Sequence, residues 1–530
     1  MRYLRAKTLH LISYKFQNNT MFSQSDIDQL TVHGIPLSSA QRQQEIVFEE
    51  RLSIEIIKPT LKDDGVFSFE KQEIEQLIAD YEKQIFCKSI VKFVPASGAA
   101  TRMFKDLFDA WNNIKTNPSY QLSNAAELFF KKLPQFAFFD DLEQCMKNQG
   151  VNLLETIDNH DYETIFEYLL TEKGLNYAHL PKGLLLFHQY DDSKRTAFEE
   201  HLVEAAEYAR RDDNTSHLHF TVSQEHQQLF EQYCKEILSI YEKQNGIKYK
   251  ITFSVQHSST DTIAFAQNNT PFRDGKGNLL FRPGGHGSLI ENLNNLNADI
   301  ILIKNIDNVT LDNLKKDTIT YKKALVCFLL NVQQQIFNYL HLFDHTTAGN
   351  DIIEKAELFV KDNFFISLPA PYLELSPKEK QSFLYQLFDR PIRVCGMVKQ
   401  ENEPGGGPFW VKDLNNNLSL QIVEMSEINL SDPKQKEIVN RSSFFNPVDL
   451  ACSLRNHRGE QFELNKYIDF SRYFVSEKSH EGKVLKAIEN PGLWNGAMSN
   501  WLTVFVAVPL STFSPVKTVN DLLRKEHINE

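Results

Sequence analysis

Asp299-Ile-Ile-Leu-Ile-Lys304-Asn305-Ile306-Asp307-Asn308 is the stretch on which the fold reading turns. Its apolar run has the length of one strand and stops abruptly in Asn-Ile-Asp-Asn. That puts a carboxylate at a strand tip, where open α/β sheets bind ligands and metals. Asp307 with Asn308 beside it offers hard oxygen ligands suited to Mg²⁺, and reads equally as an Asp-Asn turn. Just upstream, Arg282-Pro283-Gly284-Gly285-His286-Gly287 sets three glycines around one histidine. Such a loop either lets a flat ligand approach the backbone or is an ordinary surface turn.

Outward from that strand the pattern alternates. Ile90-Val-Lys-Phe-Val94 reads as a buried strand running into Pro95-Ala-Ser97-Gly98-Ala99-Ala100-Thr101-Arg102, a small-residue loop that opens a helix near Met103. Strand, tight turn and helix presents backbone N–H groups to phosphate, although small residues after a strand also serve close packing. Further strands are expected at 218–222, 249–255, 300–304, 393–398, 419–423 and 503–508, with helices such as 195–210 and 223–243 falling between most of them. This alternation predicts an α/β fold with a mixed, mostly parallel sheet and helices on both faces. A helical N-terminal segment covers 1–88, the main domain runs over 89–525, and a helical insertion fills 104–180 before Pro181-Lys182-Gly183 returns to the core. Glu403-Pro-Gly-Gly-Gly-Pro408 is read as a turn between two strands. Met21, ahead of a Ser23-Gln-Ser-Asp26 helix cap, reads as an alternative start that would make 1–20 a leader.

Composition limits what such a site belongs to. With 530 residues, 42% hydrophobic and 39 of them Phe, the chain can bury a large α/β core with appended layers. A formal net charge of −12 gives no overall field toward nucleic acid or anionic lipid, so a polyanionic substrate must be met by local Arg and Lys. Cys87, Cys145, Cys234, Cys327, Cys395 and Cys452 are scattered without a Cys-x-x-Cys, which reads as reduced thiols in a cytoplasmic protein. Apolar runs such as 324–330 are too short to span a bilayer. Nothing in the spacing of His188, His217 and His219 makes a metal site, and His219 within a strand reads as a satisfied histidine. The oligomeric state leaves no mark in the sequence.

In chain order, Ser97-Gly98-Ala99-Ala100-Thr101-Arg102, Pro181-Lys182, Gly285-His286-Gly287, Asn305-Ile306-Asp307-Asn308, Glu424-Met-Ser-Glu427 and Phe513-Ser-Pro-Val-Lys517-Thr-Val-Asn-Asp521-Leu-Leu523 form one series. Together they resemble the motifs of the UDP-sugar pyrophosphorylase family, nucleotidyltransferases on a GT-A-like Rossmann sheet. Weaker matches are Val222-Ser223, Gln256 and Phe445-Asn446. Leu180-Pro-Lys-Gly-Leu-Leu185 and Leu493-Trp-Asn-Gly-Ala-Met498 also resemble an uncharacterised bacterial domain family of unknown function.

The resemblance implies transfer of a nucleotidyl group from a nucleoside triphosphate, UTP favoured, to a sugar-1-phosphate, with Mg²⁺ as cofactor and Mn²⁺ able to replace it. It implies catalytic roles for Arg102, Lys182 and Lys517, with Asp307 as the metal ligand. Nucleotide contacts fall to Ser97, Gly98, Ala99, Thr101, Gln256, Gly285, His286 and Gly287, and sugar contacts to Asn308, Glu424 and Asn446. Neither nucleic acid nor membrane is expected as a partner. The chain departs from the pattern in Ser97 and Ala100, which replace signature glycines, and in the long stretch between Arg102 and Lys182. It also ends soon after Leu523, so the C-terminal β-helix of many members is not expected. A catalytically degenerate nucleotide or sugar-nucleotide binder is the second reading, and a glycosyltransferase a third.

Overall fold

Seven strands build the central sheet of this computed structural model: β1 (Ile90–Pro95), β2 (Thr215–Val222), β3 (Lys248–Val255), β4 (Ile300–Lys304), β5 (Ile392–Lys399), β6 (Phe444–Ser453) and β7 (Leu502–Ala507). They lie in the order β7-β5-β6-β4-β1-β2-β3. β6 runs antiparallel to both neighbours, and all other pairings are parallel. The structure describes residues 21–48, 53–86, 88–98, 100–117, 119–401, 405–412, 418–480 and 482–529. Residues 1–20, expected as a leader, and Cys87, Ala99 and part of the 403–408 turn lie outside them.

All five residues of β4 are buried, as the apolar run requires, because both faces of the strand are covered. Successive side chains feed separate cores. Ile300 and Leu302, with Ile90 and Val94 of β1, pack into the larger one. Ile301 and Ile303, with Val91 and Phe93, pack into the other. Helices α1 (Ala197–Tyr208), α2 (Gln227–Asn245) and α3 (Lys316–His345) cover the first face. α1 starts at a capping box in which Thr196 and Glu199 satisfy each other's backbone N–H.

Several sequence expectations change here. The second face is not a full helical layer. It carries the six-residue helix Leu289–Asn294 and a three-stranded sheet of Ile56–Pro59, Gly406–Lys412 and Leu418–Glu424. The strand read at 419–423 therefore belongs to this smaller sheet. The N-terminal segment is helical over Gln24–His33, Leu37–Phe48 and Lys71–Gln84, but Ile56–Pro59 between them is a strand because it pairs with Gly406–Lys412. β6 has no counterpart in the sequence reading: Asn446-Pro447 interrupts its pattern, and the strand bulges against β5 where Val448 adopts φ 59°. The 104–180 insertion is built of short helices such as Lys105–Thr116 and Tyr162–Leu170, and its aromatics join the larger core. No helix among the described residues is long and apolar enough to cross a membrane.

Candidate active site at the β1 and β4 tips

From β1 the chain steps sideways to β2 and β3, then returns to lay β4 on the other flank of β1. Where strand order reverses in this way, a crevice opens outside the carboxyl ends of the two strands. Four segments distant in sequence are stitched together there by backbone hydrogen bonds. Ile306 N–H donates to the Pro95 carbonyl at 3.3 Å and Lys182 N–H to the Gly98 carbonyl at 3.2 Å. Val516 N–H donates to the Asp307 carbonyl at 3.1 Å. Ser514 N–H donates to Asn308 Oδ1 at 2.9 Å.

The result is a carboxylate between two ammonium groups. Lys182 Nζ lies 2.8 Å and Lys517 Nζ 3.4 Å from Asp307 Oδ2. Burial pushes the Asp307 carboxyl up, but the charges of Lys182 and Lys517 outweigh it and hold the group below its ordinary 3.8. Asp307 is buried while the Lys517 side chain is 50% exposed, so the group opens to solvent on the Lys517 side. Ser97, Gly98, Thr101 and Arg102 are exposed on the adjoining loop. Such a rim can engage anionic oxygens on two sides of one carboxylate. Among the described residues no group of three or more His, Cys, Asp or Glu could hold a metal ion. A cation here would have Asp307 as its carboxylate and take its other oxygens from phosphate and water, which suits Mg²⁺.

A second cluster gathers residues expected to meet base and sugar. Leu493 N–H donates to His286 Nδ1 at 3.1 Å, which leaves the proton on Nε2, 3.6 Å from Glu424 Oε1. Asn495 Nδ2 donates to the same carboxylate oxygen at 2.9 Å, and His286 stacks on Trp494 at 4.4 Å. Burial raises the Glu424 carboxyl, yet His286 and Asn495 bring it below its ordinary value. Gly285 has φ 75°, and a Cβ on Gly287 would stand 2.1 Å from the Pro491 carbonyl oxygen. The chain itself thus requires glycine at 287. Gln256 Nε2 donates to Asp261 at 3.1 Å. Of the two asparagines expected to meet sugar, Asn308 is buried with its amide oxygen accepting from Ser514 N–H and its Nδ2 without a partner, and Asn446 is buried with its amide oxygen accepting from Val448 N–H.

Sequence reasoning missed the charges beneath the tip. Glu204 on α1 accepts from Lys92 of β1 and Lys304 of β4, both at about 2.9 Å or less. One turn earlier, Glu200 meets Lys315 and His188. His201 Nε2 donates to the Ile306 carbonyl at 3.2 Å, one residue before Asp307. The available signal was the glutamate pair at i and i+4 behind the Thr196 cap, together with lysines inside two apolar strands. His219 is satisfied at both ring nitrogens, by Thr252 and Ser254 at 2.8 Å each.

No curated protein matches the sequence. Among solved structures, the chain is similar to the uridine diphosphate N-acetylglucosamine pyrophosphorylase of Trypanosoma brucei, at 12% identity over 92% of this chain and 74% of that one, with a TM-score of 0.45. It is also similar to a UDP-glucose pyrophosphorylase mutant of Leishmania major solved with UDP-glucose, at 12% identity over 94% and 78%, with a TM-score of 0.42. A family model described as "Domain of unknown function (DUF4301)" matches residues 23–528, and the chain belongs to that family.

Proposed function

We propose that the protein is a nucleotidyltransferase that joins a nucleoside triphosphate, UTP favoured, to a sugar-1-phosphate and releases pyrophosphate. The observation that carries this reading is the convergence of Lys182 and Lys517 on Asp307 at the β1/β4 crevice. The ordered motif series, with its GT-A-like implication, supports it.

In the reaction a phosphate oxygen of the sugar-1-phosphate attacks the α-phosphorus in line. A new P–O bond forms, the bond to the β-phosphate oxygen breaks, and its electron pair leaves with pyrophosphate. No protein nucleophile is needed; the protein aligns two polyanions and neutralises developing charge. Lys517 holds the sugar phosphate, Lys182 lies against the α-phosphate, and the exposed Arg102 guanidinium clamps the leaving pyrophosphate. Mg²⁺, with Mn²⁺ as substitute, would supply charge neutralisation between the phosphates when held on Asp307. Gln256 and the 285–287 loop face the base, and Glu424 accepts from a sugar hydroxyl.

One observation favours the second reading, a degenerate nucleotide or sugar-nucleotide binder. Ala100, standing where the family has glycine, is buried and its N–H already donates to the Leu180 carbonyl at 3.3 Å. The deciding experiment is pyrophosphate release by purified protein with Mg²⁺, each nucleoside triphosphate being tried against a panel of sugar-1-phosphates. Release that needs both substrates and is lost in Asp307→Ala is expected. Nucleotide binding without release from any pair would replace the transferase by the binder.

A further inference from the structure

We infer that His527 is a positioning residue for Lys517. The inference rests on the reading of Lys517 as the group that meets the phosphate co-substrate. Lys517 lies on the C-terminal segment, which has no long helix or strand of its own: residues 510–529 form only the short turns Leu510–Thr512 and Val519–Leu523 and loops. What holds the lysine in place is therefore a set of fastenings along a strap.

The near fastening is the strand tip, where Ser514 N–H meets Asn308 and Val516 N–H meets Asp307. Past Lys517, Asp521 accepts from the backbone N–H groups of Lys517 and Thr518 at 2.8 and 2.7 Å. The far fastening returns to the segment that follows Asp307. Leu311 N–H and Thr310 Oγ1 both donate to the Glu526 carbonyl, at 3.2 and 3.0 Å. Beside it, the buried His527 ring stacks on His188 with centroids 5.1 Å apart, and its Nδ1 lies 2.8 Å from His188 Nε2.

This contact continues into the buried charges on α1. Glu200 is held ionised: burial raises it, but Lys315 and His188 bring it down to about 2. As a carboxylate it can only accept, so the proton of the 2.8 Å contact sits on His188 Nδ1. His188 Nε2 and His527 Nδ1 share the next hydrogen bond, so the contact runs on from the strap through His188 to Glu200. Burial, with the nearby His188, pushes His527 down to about 3, so this ring stays neutral. A leucine at 527 would fill the space and lose the hydrogen bond; an asparagine would return a polar group able to donate or accept near the Nδ1 position.

The test is amide hydrogen exchange of the full-length protein without substrate, followed through peptides covering 511–523 and, for comparison, 300–304. In His527→Leu, exchange over 511–523 should quicken at least roughly tenfold with 300–304 unchanged, and His527→Asn should restore wild-type protection. In the pyrophosphate assay, His527→Leu should raise KM for the sugar-1-phosphate about tenfold, leaving KM for the nucleoside triphosphate unchanged. Wild-type exchange over 511–523 in His527→Leu would overturn the inference, and so would loosening that spreads equally through 300–304. Should His527→Leu not fold, His527→Phe keeps a ring stacked on His188 without the hydrogen bond and is read the same way. Exchange needs no turnover, so an inactive protein would defeat the transferase reading and leave this measurement standing.

Discussion

Glu204 and Asp307 each gather two lysines, and the two assemblies meet along one stretch of chain: Lys304 ends β4, and Asp307 follows three residues later. Glu204 with Lys92 and Lys304 is sealed, every side chain 2% exposed or less. Asp307 has Lys182 at 13% and Lys517 at 50%. The same charges therefore face different demands. A sealed carboxylate must keep both partners, because an unpaired ion in the interior is costly. The open one can exchange a lysine contact for a phosphate, because Lys517 is already half in water and gives up little when it turns. Water access, more than residue type, separates the scaffold from the site.

The largest effect should come from breaking the sealed group. Glu204→Gln leaves Lys92 and Lys304 buried without a counter-charge and should cost about 3–5 kcal/mol in urea unfolding. Asp307→Asn leaves lysines that can reach solvent and should cost no more than about 1.5 kcal/mol, while abolishing pyrophosphate release. Equal losses of stability in the two variants would end the distinction. Next in size, Lys517→Ala should slow turnover roughly a hundredfold, about 2.7 kcal/mol of transition-state stabilisation, with the unfolding free energy unchanged within about 0.5 kcal/mol. Near-normal turnover would remove Lys517 from the site.

How much of this contrast is legible in the sequence depends on whether the signal is local. β4 and Asp307 are legible because a run buried on both faces changes abruptly to polar residues at the strand end. Lys182 and Lys517 are not: a lysine in a turn carries no mark of what it faces, and only the ordered resemblance singled them out. Glu200 and Glu204 look like one solvated helix face until tertiary packing closes Lys92, Lys304 and Lys315 over them. Asn308 and Asn446 hide their backbone bonds to Ser514 and Val448, since an amide that shapes a turn and one that binds a sugar are the same residue in sequence. β6 escaped because Pro447 and Asp449 break a pattern that the bulge accommodates in three dimensions.

The smallest effect sharpens the contrast by pH. In the scaffold, burial pushes His219 from 6.5 down to about 4, so the folded protein keeps this ring neutral where the unfolded chain protonates it. His527 behaves likewise, burial and His188 taking it from 6.5 to about 3. Between pH 6.5 and 4 the unfolded state therefore binds more protons, and stability must fall as pH falls, by up to about 1.4 kcal/mol per pH unit for each such histidine. Asp307 acts in a different window. Its folded value is depressed below 3.8, so its contribution is complete above that pH and is lost only on further acidification through the folded value. A loss of unfolding free energy between pH 6.5 and about 5 thus belongs to the buried histidines and not to Asp307. His219→Asn should remove one histidine's share of the slope in urea titrations at pH 7, 6 and 5. An unfolding free energy that stays level across those three pH values in the parent protein would mean that the buried rings accept protons without opening the fold.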